Sequence, residues 1–216
     1  MAAKDEKTQA KSSGGGGFQA TAFVVLKFVL ALLLLPIVIA STGALQEEIL
    51  HFDATLQHDL WFGLVLYLAL FFFVYDFALV YRFGQGVMTF CFQFLKPLVN
   101  FAPYVIPVYT IIVLVGFAIL NAMGVKGEWK GLCYSMMAAT FSMHIILTAK
   151  DLYQKDSTPG KPTYFFVMGV VYIVDVFFIA LIMNMTLPGF SFVRFFQGLA
   201  GVTFNIYKAI FTQLFF

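Results

Sequence analysis

The sequence predicts an all-α protein that crosses a membrane several times. Residues 60–83 (LWFGLVLYLALFFFVYDFALVYRF) form an almost purely apolar run, and at least three comparable runs occur elsewhere in the chain. About twenty apolar residues in a helix cover a hydrocarbon core of roughly 30 Å. The composition agrees, because 61% of the residues are hydrophobic and 11% are charged. The runs are continuous rather than alternating, which favours helices over a membrane β-barrel.

The chain divides into three predicted segments. Residues 1–17 (MAAKDEKTQAKSSGGGG) are polar and rich in glycine and serine, so we expect a disordered tail. Residues 18–189 are predicted to form a transmembrane bundle of five to seven membrane-embedded helices. Residues 190–216 are rich in phenylalanine and carry basic residues, which is typical of either an amphipathic interfacial helix or a final span.

Within the bundle, the apolar runs predict five spans, at 23–39, 60–83, 105–122, 132–152 and 164–185. Pro36 should kink or end the first helix, because proline removes a backbone donor. Residues 84–104 are apolar but carry amides and a lysine, so they could lie in the interface, re-enter or cross as a short span. The motif RFGQG at 82–86 recurs as RFFQG at 194–198, which indicates either an internal repeat or a chance match among 28 phenylalanines.

The charges around the first span predict the orientation. Segment 41–59 contains four acidic residues and no lysine or arginine, whereas three lysines precede residue 18. Cytoplasmic segments tend to retain Lys and Arg. We therefore expect a multi-pass protein of a cell (inner or plasma) membrane with a cytoplasmic amino terminus and segment 41–59 outside.

Several function classes find no support in the sequence. No Walker loop, dinucleotide fingerprint or nucleophile elbow is present, and a net charge of +2 does not favour nucleic acid as a partner. Cys91 and Cys133 lack metal-ligand spacing and are predicted to be small packing residues. We expect no cofactor, no bound metal and no enzymatic activity. The expected partners are the lipid bilayer and other membrane subunits or a second copy.

Four ionisable residues lie inside the predicted spans, where each costs roughly 2.5–3.5 kcal/mol on insertion scales. Lys27 and Asp76 lie in the same half of the first two spans, so they could form an ion pair, unless Lys27 extends to the headgroups. His144 and Asp175 lie near the middle of two consecutive, antiparallel helices, so we expect them to touch. A structural hydrogen bond, a proton or metal site, and two independent residues all remain open for this pair.

The predicted faces of these two helices support that contact. Gly169, Tyr172 and Asp175 share one face by their spacing, while Ser135, Ala139 and Ser142 give a small-residue face that would permit close approach.

Residues 75–90 (YDFALVYRFGQGVMTF) resemble the segment of site-2-protease-like intramembrane zinc metallopeptidases in which an aromatic helix leads into Phe-Gly-His-Glu-x-x-His. Residues 102–109 (APYVIPVY) are also similar to the proline-aromatic helix entry of some small bacterial members. The resemblance places the first His, the Glu and the second His of the family on Gln85, Gly86 and Thr89. Zinc needs imidazole, thiolate or carboxylate ligands, and proteolysis needs the Glu as base. The resemblance therefore implies a non-catalytic relative.

Three functions follow as expectations. The first is a non-enzymatic integral membrane protein that acts as a scaffold or accessory subunit of a membrane complex. The second is a transporter or an ion- or proton-conducting protein that uses Lys27, Asp76, His144 and Asp175. The third, a degenerate intramembrane metallopeptidase, is disfavoured by the missing ligands.

Overall fold

The computed structural model describes residues 14–73, 77–125, 129–157, 160–187 and 189–215, and within these ranges the chain is helical and has no strand. The helices are α1 Gly14–Leu50, α2 Ala54–Phe73, α3 Ala78–Phe92, α4 Lys96–Val99, α5 Ala102–Val105, α6 Val108–Ala122, α7 Trp129–Lys155, α8 Pro162–Thr186 and α9 Phe192–Phe215. Helices α1, α2, α7 and α8 are long and apolar enough to cross a membrane, and α6 is a shorter apolar helix. The predicted all-α membrane fold is confirmed.

The first helix is much longer than predicted. It begins at Gly14, continues through Pro36 and ends at Leu50. Residues 41–50 of segment 41–59 therefore belong to α1 and residues 54–59 to α2, so most of this segment is helix rather than loop. Lipid offers no alternative partners for backbone groups, which favours keeping the helix despite the donor lost at Pro36. Residues 51–53 connect α1 to α2, whose start is capped by Asp53: its Oδ1 accepts the Leu56 N–H at 2.9 Å.

The apolar run 60–83 is not one span. It is divided between α2, which ends at Phe73, and α3, which begins at Ala78. Residues 84–104 then contain the end of α3 and the short helices α4 and α5, and α6 begins only after Pro107. Apolar composition predicts burial in lipid or protein but not the direction of a helix, which explains why the sequence left this region open.

The long helices form two groups. Helix α7 packs against α2 and α6, whereas α1 packs against α8 and α9, and α7 meets α8 over a smaller contact. We call these the α2–α6–α7 group and the α1–α8–α9 group. Between them lies a cleft of about 350 Å³ lined mainly by apolar side chains, among them Trp61, Leu64, Phe141 and Met183.

Helices α1 and α8 run in the same direction, and α9 returns along α1. Lys27 Nζ donates to Thr163 Oγ1 at 3.1 Å near the start of α8, while the Glu48 carboxylate accepts the Ser191 N–H at 3.1 Å just after α8 ends. We call the side of the bundle with Lys27, Lys155 and Lys161 the lysine end. The side with Glu48, Asp53 and Asp59 is the acidic end.

Candidate functional site

The site predicted at the middle of α7 and α8 is a buried imidazole–carboxylate contact. His144 Nε2 lies 3.5 Å from Asp175 Oδ1, and the two side chains are 7% and 0% exposed. The contact agrees with the depth argument made from the sequence. It also lies where the α2–α6–α7 group meets the α1–α8–α9 group, so it connects the two halves of the bundle.

His144 has a second and closer partner. Its Nε2 lies 3.1 Å from the backbone carbonyl oxygen of Tyr104. A carbonyl only accepts, so this geometry places a hydrogen on Nε2. Tyr104 is available at this depth because α5 ends at Val105 and α6 begins at Val108, with Pro107 between them. Such non-helical backbone is tolerated at membrane depth where protein covers it.

The carboxylate of Asp175 is poorly satisfied. Among the described residues, neither of its oxygens has a hydrogen-bond partner, and the 3.5 Å approach of His144 exceeds a normal N–H···O distance. The single Nε2 hydrogen is already directed to the nearer Tyr104 carbonyl. A buried ionised carboxylate without donors is costly. Asp175 therefore requires a proton or another positively polarised partner.

Further polar groups surround His144 on its other side. The Tyr81 hydroxyl and Thr148 Oγ1 are hydrogen-bonded at 2.8 Å, and the Tyr81 ring centroid lies 6.4 Å from that of His144. Gln85 Nε2 is buried without a hydrogen-bond partner in the described part of the chain. Gln85 and His144 both line a cavity of about 10 Å³, which is near the lower limit for one water molecule.

Tyr104 also connects this site to the lysine end of the bundle. Lys155 Nζ donates to the Tyr104 hydroxyl and, at 2.8 Å, to Asp151 Oδ2. The backbone carbonyl of Tyr104 thus faces the buried histidine while its phenol faces the exposed Lys155–Asp151 pair. The polar groups form a series from the lysine end towards the middle of the bundle.

Of the other predicted site residues in the described ranges, Gln85 lies beside this pair, in the small cavity next to His144, and the rest are not gathered around it. Asp76 lies outside the described residues, so its pairing with Lys27 stays a prediction, and Lys27 itself bonds to Thr163. Gln85, Gly86 and Thr89 all lie on α3, where Thr89 Oγ1 donates to the Gln85 carbonyl of its own helix at 2.9 Å and Gly86 is exposed.

Two of the small residues predicted at the contact between α7 and α8, Ser135 and Gly169, face other helices. Ser135 faces α2, where its Oγ donates to the Asp59 carbonyl at 2.9 Å. A Cβ added at Gly63 of α2 would lie 2.0 Å from the Ser135 carbonyl oxygen. Gly169 of α8 faces Leu34 of α1. Small residues therefore mark close packing within each group rather than the contact between the groups.

One ion pair was missed from the sequence. Arg194 at the start of α9 donates from Nε to Glu48 Oε1 at 2.9 Å and from Nη2 to Oε2 at 3.0 Å. Hydrogen bonds between a guanidinium and a carboxylate are stronger than those between neutral groups. The partners are 146 residues apart, and only the placement of α9 along α1 brings them together.

The similarity between 82–86 and 194–198 does not extend to the environment of the aligned residues. Phe195 is fully buried, whereas the corresponding Phe83 is 69% exposed. Burial of the shared aromatic position therefore gives no support to an internal repeat.

The fold, with four apolar helices of membrane-spanning length, defines a multi-pass helical membrane protein. In the described ranges, no group of three or more His, Cys, Asp or Glu side chains could hold a metal ion. Comparison with protein family models, curated proteins and solved structures finds no match. The kinship with intramembrane metallopeptidases thus stays a prediction.

Proposed function

We propose that this protein is a non-enzymatic accessory or scaffold subunit of a membrane complex and binds its partner through the outer face of α9. One observation carries the proposal: α9 lies along the spanning helix α1, yet it presents polar side chains on the side that faces away from the bundle. The partner is a second membrane protein whose helix supplies carboxylate or carboxamide groups.

The path of α9 is fixed by contacts along its length. Arg194 bonds to Glu48, a Cβ at Gly198 would lie 3.6 Å from the Ala44 side chain, and the Tyr207 hydroxyl donates to the Leu33 carbonyl. Successive residues of α9 thus meet successively earlier residues of α1. A 24-residue helix is about 36 Å long, which is sufficient to follow α1 across a bilayer.

The polar residues of α9 recur every third or fourth position and share one face. This polar face consists of Arg194, Gln197, Gly201, Asn205, Lys208 and Thr212. Phe195 and Leu199 are buried on the opposite side, in a core cluster that contains side chains of both α1 and α8. The arrangement would suit a helix lying between lipid and water, but the contacts with α1 support an upright α9 instead.

Three side chains of the polar face have no partner among the described residues: Gln197, Asn205 and Lys208 are exposed and neither hydrogen-bonded nor ion-paired there. Lipid tails offer no acceptor for the amides or for the ammonium group, so a protein partner would lower the cost of placing them in a bilayer. Gly201, which has open space around it, would let that helix approach closely.

Charge favours a different protein over a second copy of this chain. A symmetric dimer formed through the polar face would bring one Lys208 towards the other, and like charges repel. A partner helix with an acidic side chain at that depth would instead neutralise Lys208. The carboxylate would also accept hydrogen bonds from its ammonium group.

The distribution of lysines supports the orientation expected from the sequence. Lys150, Lys155 and Lys161 lie towards the lysine end, together with the first half of α1. The acidic end carries Glu47, Glu48, Asp53 and Asp59, with Lys130 and Arg194 as the basic residues described there. We propose that the lysine end is cytoplasmic. A cysteine at Ala54 in a Cys91→Ser background should react with an impermeant maleimide in intact cells, and labelling only after permeabilisation would contradict this orientation.

Site-specific photo-crosslinking in native membranes tests the proposed partner surface. A photoreactive residue at Gly201 should give a discrete adduct with another membrane protein. The double variant Asn205→Leu/Lys208→Leu should remove that adduct, while Phe204→Leu, an exposed position of the same helix, should retain it. The proposal fails if Gly201 gives no adduct, if the double variant leaves the adduct unchanged, or if the adduct contains two copies of this chain.

A transporter or proton-conducting protein is the second candidate, and the break between α5 and α6 favours it. Interrupted helices beside a buried charge at mid-depth are typical of transporter binding sites. Reconstitution into proteoliposomes tests this candidate. A flux that requires Asp175 and persists in the Asn205→Leu/Lys208→Leu variant would favour transport over the subunit role.

A further inference from the structure

We infer that His144 and Asp175 form a proton-binding site at the contact between the two helix groups. In the structure, a hydrogen on Nε2 of His144 points to Tyr104, so a neutral imidazole leaves the pair with the charge of the Asp175 carboxylate. Uptake of one proton from water yields either a carboxylic acid beside a neutral imidazole or an imidazolium beside a carboxylate. Both products have no net charge, and the proton belongs to the pair.

Burial and the unmet hydrogen bonds of Asp175 support proton binding. The carboxylate is fully buried, both of its oxygens lack hydrogen-bond partners in the described part of the chain, and its helix is mainly apolar. A proton removes the net charge without requiring additional space. A protonated carboxyl group would also gain a donor of its own.

The geometry favours a proton over a metal ion. The imidazole nitrogen that faces the carboxylate lies 3.1 Å from the Tyr104 carbonyl and directs its hydrogen to that oxygen, so it has no free lone pair for a metal ion. A metal ion there would need that nitrogen deprotonated and further oxygen or nitrogen ligands. The described residues provide no cluster of three or more His, Cys, Asp or Glu side chains for this purpose.

The other ionisable groups near the pair are already engaged or lie at the ends of the bundle. Three tyrosines near the pair are hydrogen-bonded: Tyr104 of α5 to Lys155, which pairs with Asp151, Tyr81 of α3 to Thr148, and Tyr172 of α8 to Thr42. On α1, Lys27 bonds to Thr163 and Glu48 bonds to Arg194. In the described part of the chain, His144 is the ionisable side chain in contact with the Asp175 carboxylate. Proton binding is therefore assigned to these two residues.

Because the pair lies where the two helix groups meet, we expect proton uptake to affect the contact between the groups. Away from this contact, the cleft separates parts of the two groups, and the pair is a buried polar connection between them. A neutral pair can remain buried at the contact, whereas an anionic pair without donors would be stabilised by water. We expect the proton-free state to admit water between α7 and α8 more readily.

Infrared difference spectroscopy of the full-length chain in lipid nanodiscs tests the site. Spectra taken between about pH 4 and about pH 9 should contain a signal from a buried carboxyl or imidazole group that exchanges slowly into D₂O. The signal should disappear in Asp175→Asn and persist in Asp151→Asn, which removes an exposed acid of α7. Asp175→Asn should remain folded, since polar contacts between membrane helices average about 0.6 kcal/mol.

The inference is overturned if the wild-type protein shows no buried titrating group, or if Asp175→Asn retains the same signal. Should Asp175→Asn fail to fold, nuclear magnetic resonance of ¹⁵N-histidine-labelled wild type and His144→Gln decides the question. A buried imidazole that titrates in the wild type and is lost in His144→Gln supports the site. The pair is excluded if the wild type shows no such imidazole and His144→Gln leaves the carboxyl signal unaltered. None of these variants touches α9, so the results are independent of the partner-binding experiment.

Discussion

The helices of the two groups are held together by different kinds of contact. In the α2–α6–α7 group the contacts are close and uncharged: Gly63 packs against the backbone of Ser135, and Thr110 and Thr140 hydroxyls lie 3.2 Å apart. In the α1–α8–α9 group the directional contacts include charged side chains near both ends, with Lys27 at one end and Glu48 with Arg194 at the other. The middle of α1 is mainly apolar.

The difference shows where each type of interaction is useful in a bilayer. Lipid tails are as apolar as the helices, so association depends on close packing, and small residues permit it at any depth. Charged contacts cost less near the ends of a span, where water and headgroups reduce the penalty. The His144–Asp175 pair is the exception, because it combines charge with central burial.

The largest effect is expected from a substitution that breaks the close contact of α2 with α7. In Gly63→Ala, the new Cβ would lie 2.0 Å from the Ser135 carbonyl oxygen, so the two helices must separate. Overpacking typically costs about 1–3 kcal/mol, and a backbone contact should place this variant at the upper end. Thermal unfolding in detergent measures the loss.

Gly116→Ala is the matched control for that substitution. Gly116 is also a helical glycine within an apolar helix, but an added Cβ would meet no atom within 4 Å. We expect it to be neutral or to gain up to about 1 kcal/mol from better helix propensity. An equal loss in both variants would contradict the role assigned to the Gly63–Ser135 contact.

An intermediate effect is expected from the charged contact at the acidic end. Arg194→Gln removes the bidentate interaction with Glu48. The Glu48 carboxylate, which is 5% exposed, then keeps the Ser191 N–H as a hydrogen-bond donor. The start of α9 should detach from α1 and become accessible to protease. Arg82→Gln, at the aligned and exposed position of α3, should leave α9 protected. Equal protease sensitivity in the two variants would argue against the contact.

The smallest effect is expected at the lysine end. Lys27→Gln and Thr163→Val each remove the 3.1 Å hydrogen bond between α1 and α8. The lysine side chain is long enough to reach the headgroups, so either change should cost no more than about 0.6 kcal/mol of unfolding free energy. Measurement by unfolding in mixed micelles should show nearly identical values, and a loss comparable to that of Gly63→Ala would remove the distinction between the groups.

The sequence predicted those features that depend on local composition. Apolar runs identified the helical membrane fold, and mid-helix positions on consecutive helices brought His144 next to Asp175. The Glu48–Arg194 contact could not be predicted, because it depends on α9 lying along a helix distant in sequence. The same applies to Ser135, whose small side chain indicated close packing without identifying α2 as the neighbour.

The region between α2 and α6 illustrates another limit of prediction from sequence. Apolar residues continue through the end of α2 and the start of α3, so composition gave no sign that the run 60–83 divides between two helices. The predicted span began at residue 105, and only the structure shows that α6 begins after Pro107 and that the preceding carbonyl of Tyr104 meets His144. Neither the division of the run 60–83 nor the partner of the Tyr104 carbonyl was therefore visible in the sequence.

The pairing of α1 with α8 and α9 has a consequence for biogenesis. During synthesis, α1 enters the membrane long before its neighbours exist, since the residues that contact Lys27 and Glu48 follow more than 130 positions later. The helix must therefore be held by lipid or by the insertion machinery, and its 37 residues with an uncharged apolar middle suit that interval. Ribosome-bound chains that stop before α8 should expose the α1 surface around Ala40 and Ala44 to chaperones.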